Sequence, residues 1–378
     1  MRLFLRLCTR QLGALDRAGA KAEDGARSLK IAVIGTPNVG KSALTNRLVK
    51  SDVCAVSKLI DTTRQNMTTS YSEGNCQLVV VDSPGLIGIQ HAKKMVGTHA
   101  ESKILVDPEK ALTYADHVLV VCDATAPGEY IHHRVLHLLH RNSHIPSSLV
   151  LNKCDLIKQR TDLLRLAQIL TNGVVDGARM TVETARLGKL GTSATERTLT
   201  VNPLASHMGE RDEKWKQAYN RILNKPTHKC SWHETKHVFQ QETGWPHFSG
   251  VFFVSAITGE GDRGPPLASP VALRRGRVAV PEKPQWVISE HIRSAMLNSL
   301  PADIAYRLVI RLMHFEMESD EMNVLAHVIA EKERAAKLAA AVLPEQASEL
   351  EARFSKLFNR RVNVELLAKF NGKTIFAQ

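Results

Sequence analysis

An α/β domain with a mainly parallel sheet covered by helices on both faces, followed by a smaller α+β domain, is the fold class this sequence predicts. Three observations predict it. Short apolar runs at 30–34, 77–81, 117–122, 148–151 and 251–254 alternate with helical stretches. The first run leads directly into GTPNVGKS, residues 35–42, a Gly-rich turn opening a helix. After a Pro- and Gly-rich stretch at 264–284 the pattern changes to helix, two alternating strands, a long helical segment and a last strand.

The chain opens with fifteen residues free of acid, in which Arg2, Arg6 and Arg10 recur opposite Phe4, Leu7, Cys8, Leu12 and Leu15. An amphipathic, Arg-rich start of this kind predicts a mitochondrial transit peptide, taken here as residues 1–28. An α/β domain is expected over 29–270, a linker over 271–284 and the second domain over 285–378. No run approaches the ~20 apolar residues of a membrane span. The six cysteines form no CxxC pair, which argues against a disulfide framework or zinc ribbon and for a reducing compartment. Cys122 and Cys154, on or beside strands, read as small core residues.

The turn at 35–42 matches GxxxxGK[ST], the spacing of a P-loop. Gly35 and Gly40 let the backbone of Thr36, Pro37, Asn38 and Val39 aim its N–H groups at a phosphate, at a helix N-terminus that favours negative charge. Lys41 supplies a cation for the outer phosphates, and the Ser42 hydroxyl is placed to hold Mg²⁺. In Asp61-Thr62-Thr63-Arg64 a threonine, Thr63 in preference to Thr62, completes the Mg²⁺ shell. The third element, Asp82-Ser83-Pro84-Gly85, closes the run 77–81: Asp82 suits Mg²⁺ held through water, and the Gly85 amide meets the terminal phosphate. Thr63 and Gly85 are thus the residues set against the reacting group, on loops expected to move when that phosphate leaves.

The run 148–151 ends in Asn152-Lys153-Cys154-Asp155, the NKxD pattern. The Asp155 carboxylate can accept two hydrogen bonds from guanine, and adenine offers no such pair. Ser255-Ala256 at the end of 251–254 puts a backbone N–H near guanine O6. GTP and GDP, with Mg²⁺, are therefore the expected ligands, bound by a P-loop GTPase domain. Leu86 follows Gly85 where small signalling GTPases carry a water-orienting glutamine, which predicts slow unaided hydrolysis.

These motifs, with Ile145-Pro146 running into NKCDLIKQ, NGVVDG at 172–177, GWPHF at 244–248 and SAITG, resemble the Era family of ribosome-assembly GTPases in its animal mitochondrial branch, over roughly residues 30–310. The resemblance implies a second, KH-type domain that binds the 3′ region of small-subunit ribosomal RNA, and a role in small-subunit assembly. It also implies a K⁺ ion held with the help of Asn38, a mitochondrial matrix address with peripheral association at the inner membrane, and a monomer.

Charge qualifies this reading. The formal charge of +12 divides as +4 over residues 1–30, +1 over 31–155, +7 over 156–280 and 0 over 281–378. Beyond residues 1–30 the surplus lies mostly in an insertion at about 158–245, where helices are expected at 162–171 and 212–223 and irregular chain elsewhere. The series His132, His133, His137 and His140 reads as a polar helix face rather than a metal site, and His228-x-Cys230-x₂-His233-x₃-His237 lacks the paired Cys spacing of zinc modules. Trp215, Tyr219 and Trp232, near lysines, have the chemistry to stack on RNA bases but read in preference as residues packing the insertion to the main domain. Beyond the linker the expected order is αββααβ, with helix 286–299, strands near 307–317 and 322–330, helical residues 331–358 and strand 361–369. The junction that should carry the RNA-clamping GxxG loop, residues 335–346, reads AAKLAAAVLPEQ, without glycine; Pro344 is expected to break the helix there. A KH-like domain so altered leaves a second reading open, a GTP-regulated switch whose C-terminal domain contacts protein partners.

Overall fold

The computed structural model describes residues 27–57, 65–73, 76–86, 102–180, 212–259, 277–279 and 283–376. The presequence up to residue 26, Asp61 to Arg64 with Thr63, and residues 181–211 of the insertion lie outside them.

A seven-stranded sheet runs in the order β8-β5-β4-β1-β3-β2-β9. Its strands are β1 (Arg27–Ile34), β2 (Met67–Glu73), β3 (Cys76–Asp82), β4 (His117–Asp123), β5 (Ser147–Asn152), β8 (Phe248–Phe253) and β9 (Arg277–Ala279). The five expected strands, β1, β3, β4, β5 and β8, are all parallel to one another. Alternation along them explains why they need helices on both sides: Ala32, Ile34, Val118, Val120, Leu149 and Leu151 belong to one core. Ile31, Val33, Leu119, Val121 and Val150 belong to the other, with Leu44, Leu48 and Val49 of α1 (Lys41–Val49). The first core is covered by α2 (Ser102–Thr113), α3 (His133–Arg141) and α4 (Arg160–Leu170). β2 pairs antiparallel with β3, and β9, inside the expected linker, pairs with β2. Neither was legible as a strand, because the Thr- and Ser-rich β2 buries only Met67, Thr69 and Tyr71.

The insertion is more ordered than its polarity suggested. Asp176 and Gly177, both at positive φ, turn a small hairpin of β6 (Val174–Val175) and β7 (Ala178–Arg179). Besides α5 (Glu213–Leu223), an unexpected α6 (Trp232–Phe239) starts at a capping box in which Ser231 and Glu234 satisfy each other's backbone N–H. Both helices pack on α3, and here the polar-face reading of the histidines is corrected. His133 and His137 are buried in that seam: His137 Nδ1 lies 3.0 Å from Thr227 Oγ1 and Nε2 2.9 Å from the Ile222 carbonyl, and His133 Nδ1 lies 2.8 Å from Thr235 Oγ1. His140 bridges Tyr219 and Glu242. Each ring is positioned by hydrogen bonds to the insertion, so the face is polar in composition yet internal. Among the described residues no group of three or more His, Cys, Asp or Glu side chains is placed to hold a metal ion. Trp215 packs as expected, its Nε1 donating to the Val238 carbonyl at 3.0 Å.

The C-terminal domain comprises α7 (Pro284–Ser299), α8 (Ala302–Ala305), β10 (Val309–Met317), β11 (Glu321–Ile329), α9 (Glu333–Phe358), β12 (Arg361–Phe370) and β13 (Lys373–Ile375), its sheet ordered β10-β11-β12-β13. The helices pack on the face carrying Met322, Val324, Ala326 and Val328. The α+β class stands, with α8 and β13 added to the expected order and one substantive difference: the two helices around 335–346 are a single helix of 26 residues, continuous through Pro344. Pro344 lacks the N–H that would meet the Ala340 carbonyl, at a cost of about 3 kcal/mol. Against this, the segment is alanine- and leucine-rich and buries Ala336, Ala339, Ala340, Leu343, Leu350 and Phe354, a combined gain several times larger. The place of an RNA-clamping loop is occupied by an uninterrupted helix.

Candidate functional site

The carboxyl ends of β1, β3, β5 and β8 bring the sequence motifs together at one rim, where open α/β sheets bind ligands. After β1 the chain turns through Gly35 to Gly40 into α1. Gly40 adopts φ +91°, and a Cβ there would meet Asn152 Nδ2 at 2.3 Å; one on Gly35 would meet the Val121 carbonyl oxygen at 2.4 Å. Both glycines are therefore required by closeness as well as by conformation. Asn38 sits exposed at the loop's tip with φ +61°, while Val39 is buried beneath. Thr36 and Pro37 are half-buried on the loop's rim.

Lys41 folds its ammonium back over the loop, donating to the Gly35 carbonyl at 3.3 Å and to the Thr36 carbonyl at 2.9 Å. Ser42 donates to Asp82 Oδ2 at 2.5 Å. Asp82 is fully buried; burial pushes its carboxyl up to about 6, against the opposing pull of the Ser42 hydroxyl and the Lys41 charge. Its second oxygen, Oδ1, is buried and makes no hydrogen bond. Ser83 is pinned by its hydroxyl to the Val33 carbonyl at 2.6 Å, so the loop after β3 starts from a fixed point. Pro84 is buried in that loop. Gly85 lies against Pro37, where a Cβ would come within 2.7 Å of the proline backbone, and the Leu86 amide donates to the Gly35 carbonyl at 3.0 Å. The Leu86 side chain turns into the core, which is no position from which to order water.

The base-recognition motifs are tied to the phosphate loop by Asn152. Its Nδ2 donates to the Val39 carbonyl at 2.8 Å and its Oδ1 accepts from the Ala256 amide at 3.0 Å. The sequence expects a backbone N–H of Ser255-Ala256 near guanine O6; the Ala256 amide itself orders Asn152. Ser255 is buried and caps the following turn by accepting from Thr258 N at 3.1 Å. Lys153 stands at φ +65° and pairs with Asp123 at 2.6 Å. Burial raises the Asp123 carboxyl, but hydrogen bonds from Lys153 and Thr125 outweigh it and hold the group below its usual range. Asp155, on the short 3₁₀ turn Cys154–Leu156, is exposed at the rim. Asp123 carried no signal in the sequence, because it gains its role only from β4 lying beside β5.

One further connection was illegible. The segment 52–56, which precedes Asp61 to Arg64, is held by α7 of the C-terminal domain. His291 Nε2 lies 3.0 Å from the Asp52 carbonyl, Ser294 donates to the Val56 carbonyl at 2.6 Å, and Val53, Cys54 and Met67 pack with Val287. Asn46 of α1 clamps the same segment from the other side, bonding both the N–H and the carbonyl of Cys54.

A family model described as a 50S ribosome-binding GTPase matches residues 30–153. The mitochondrial GTPase Era of Caenorhabditis elegans is 40% identical over 364 residues, spanning 92% of this chain and 91% of its own. That of Danio rerio is 30% identical over 83% of this chain and 68% of its own. The crystal structure of Era in complex with MgGDPNP and nucleotides 1506–1542 of 16S ribosomal RNA superposes with a TM-score of 0.58 at 15% identity, over 91% of this chain and 94% of that one, and so shares the fold of both domains. With relatives this similar along nearly its whole length, and with the motifs of a guanine-nucleotide site assembled at one rim, the chain belongs to the mitochondrial Era family of GTPases.

Proposed function

We propose that this GTPase binds small-subunit ribosomal RNA in the mitochondrial matrix and assists assembly of the small ribosomal subunit, its nucleotide state setting its affinity for RNA. The observation that carries the reading is the coverage of both domains by a fold that, in the solved relative, holds a GTP analogue and a 16S RNA fragment together.

In this reading Gly35 to Val39 wrap the phosphates, Lys41 neutralises them, and Asp155 selects guanine. The Mg²⁺ residues fit that ion: a hydroxyl and a carboxylate oxygen 2.5 Å apart, with Asp82 Oδ1 buried and unpartnered, are the hard oxygen donors it takes. Ser42 and Asp82, with Thr63, would hold it, and when bound it supplies charge neutralisation at the phosphates. Gly85 offers its amide to the terminal phosphate, and Asn38 helps to hold a K⁺ ion that stands in for an arginine finger. With Leu86 in the core, unaided hydrolysis is on the order of 10⁻⁴ s⁻¹. Single-turnover assays in K⁺ and in Na⁺ buffers test this: the account expects a slow basal rate and faster turnover in K⁺. A rate above about 1 s⁻¹ without partners, or equal rates in both salts, contradicts it.

The protein acts as a monomer associated peripherally with the matrix face of the inner membrane; among the described residues no helix is long and apolar enough to cross a membrane. The continuity of α9 favours a second reading, in which the C-terminal domain contacts protein rather than RNA. Crosslinking of RNA to the C-terminal domain in mitochondria separates the two.

A further inference from the structure

With α9 unbroken and residues 281–378 carrying no net charge, the C-terminal domain has neither the glycine loop nor the charge surplus for gripping a phosphate backbone. The surplus of +7 lies in 156–280, and part of it, six cations against three acids over residues 212–239, is carried by the pair of helices docked on α3 and the turn between them. What those helices turn outward differs from an ordinary solvated face.

The acids of this unit are engaged at helix starts. Asp212 caps α5 by accepting from Trp215 N at 2.7 Å, Glu213 pairs with Lys216 at 2.8 Å, and Glu234 accepts from Ser231 N at 2.7 Å while pairing with Lys225 at 3.1 Å. The exposed positions that remain on α5 are donors: Lys214, Gln217, Asn220 and Arg221. On α6, Trp232, His233, Lys236 and His237 are exposed, spaced at i, i+1, i+4 and i+5 and therefore on one strip. Lys236 Nζ stands 4.5 Å over the Trp232 ring, and the His233 ring meets its edge at 5.2 Å. Trp232 is the one large hydrophobic side chain exposed on the described residues of these helices. A protein interface needs a contiguous apolar centre, which is lacking here. A single exposed indole among cations and amide donors instead suits a stacked base flanked by phosphates.

We propose that the outer face of α5 and α6, with the exposed Lys229 on the turn Thr227–Lys229 between them, binds single-stranded RNA, a base stacking on Trp232 while Lys214, Arg221, Lys229 and Lys236 contact phosphates. The proposal rests on the RNA-binding function given above and names where that binding occurs. An acidic protein segment is the competing occupant.

The test titrates the full chain with an unstructured oligonucleotide matching the 3′ end of mitochondrial small-subunit ribosomal RNA, following tryptophan fluorescence and affinity against salt. Wild type should bind with quenching. Trp232→Ala should weaken binding about tenfold and remove the quenching that Trp232 contributes. The double variant Lys214→Ser/Arg221→Ser should lower the salt slope by about 1.4, roughly 0.7 for each lost phosphate contact. Unchanged GTP affinity certifies that each variant is folded; should Trp232→Ala lose it, the exposed-charge variant decides. If wild type binds and the charge variant binds equally well with the same slope, the site is wrong and the RNA function survives. If wild type does not bind the oligonucleotide, both fail.

Discussion

Asp82 shows how much a single carboxyl in this site is asked to do. Burial dominates its environment and raises it from 3.8 to about 6, so the ligand-free fold holds this proton more tightly than the unfolded chain does. The stability this group contributes is complete below 3.8 and is lost as pH rises through about 6. In the proposed site metal binding has the opposite dependence, since the carboxylate would be the ligand. Mg²⁺ affinity measured with GDP-loaded protein should therefore fall as pH drops below about 6, by up to about tenfold per unit, and Asp82→Asn should weaken Mg²⁺ binding and abolish this dependence. A flat profile in the wild type would remove Asp82 from the metal site. Asp155 makes the complementary statement at the other end of the pocket. Asp155→Asn turns an acceptor into an amide that can donate to a 2-oxo group, so competition assays should show the preference for GTP over XTP falling by about 10²-fold or more, while Lys41→Ala should abolish triphosphate binding outright. Retained GTP preference in Asp155→Asn would mean that the base is read elsewhere.

Elements couple where their side chains cross long stretches of chain. The seam between α3 and the insertion depends on imidazoles that must stay neutral. Burial first, then neighbouring charges including Arg134, holds His137 at about 4. Burial likewise holds His133 at about 3, with His132, Arg134 and Lys236 adding to it. An undocked insertion would take up these protons near 6.5, so docking is strongest above 6.5 and is lost as pH falls from there toward 4. Hydrogen exchange should show protection of 213–239 collapsing between pH 7 and 5 after correction for intrinsic rates, while β11 and α9 keep theirs. Equal loss in both places would assign the acid sensitivity to global unfolding. This seam was hidden in the sequence, because His137 and Thr227 are 90 residues apart. The grip of Ser294 on Val56, 238 residues away, was equally hidden. By contrast GTPNVGKS, DSPG and NKCD each concentrate their chemistry within a few consecutive residues, so the pocket was legible where the surfaces around it were not. Pro344 misled for a related reason: local breaking propensity was weighed without the tertiary burial that overrides it. Ser231 and Glu234 did carry a local signal, a capping box, that would have revealed α6.

At the scale of the molecule, α7 joins the two halves of the function. The chain from Lys50 to Ser57 leaves α1, passes under α7 and leads on in sequence to Thr63; with Thr63 in the proposed role, rearrangement around the terminal phosphate is expected to act on the first helix of the C-terminal domain. A nucleotide-dependent partner affinity is the expected consequence, and a coupling of 1–3 kcal/mol corresponds to about 5- to 150-fold. The measurement that tests this account most directly is the affinity of the full chain for a small-subunit ribosomal RNA fragment when loaded with a non-hydrolysable GTP analogue and when loaded with GDP, at one fixed salt concentration. The account predicts binding in at least one state and affinities that differ at least about fivefold between the two. Absence of binding in both states, or equal affinity in both, would contradict it.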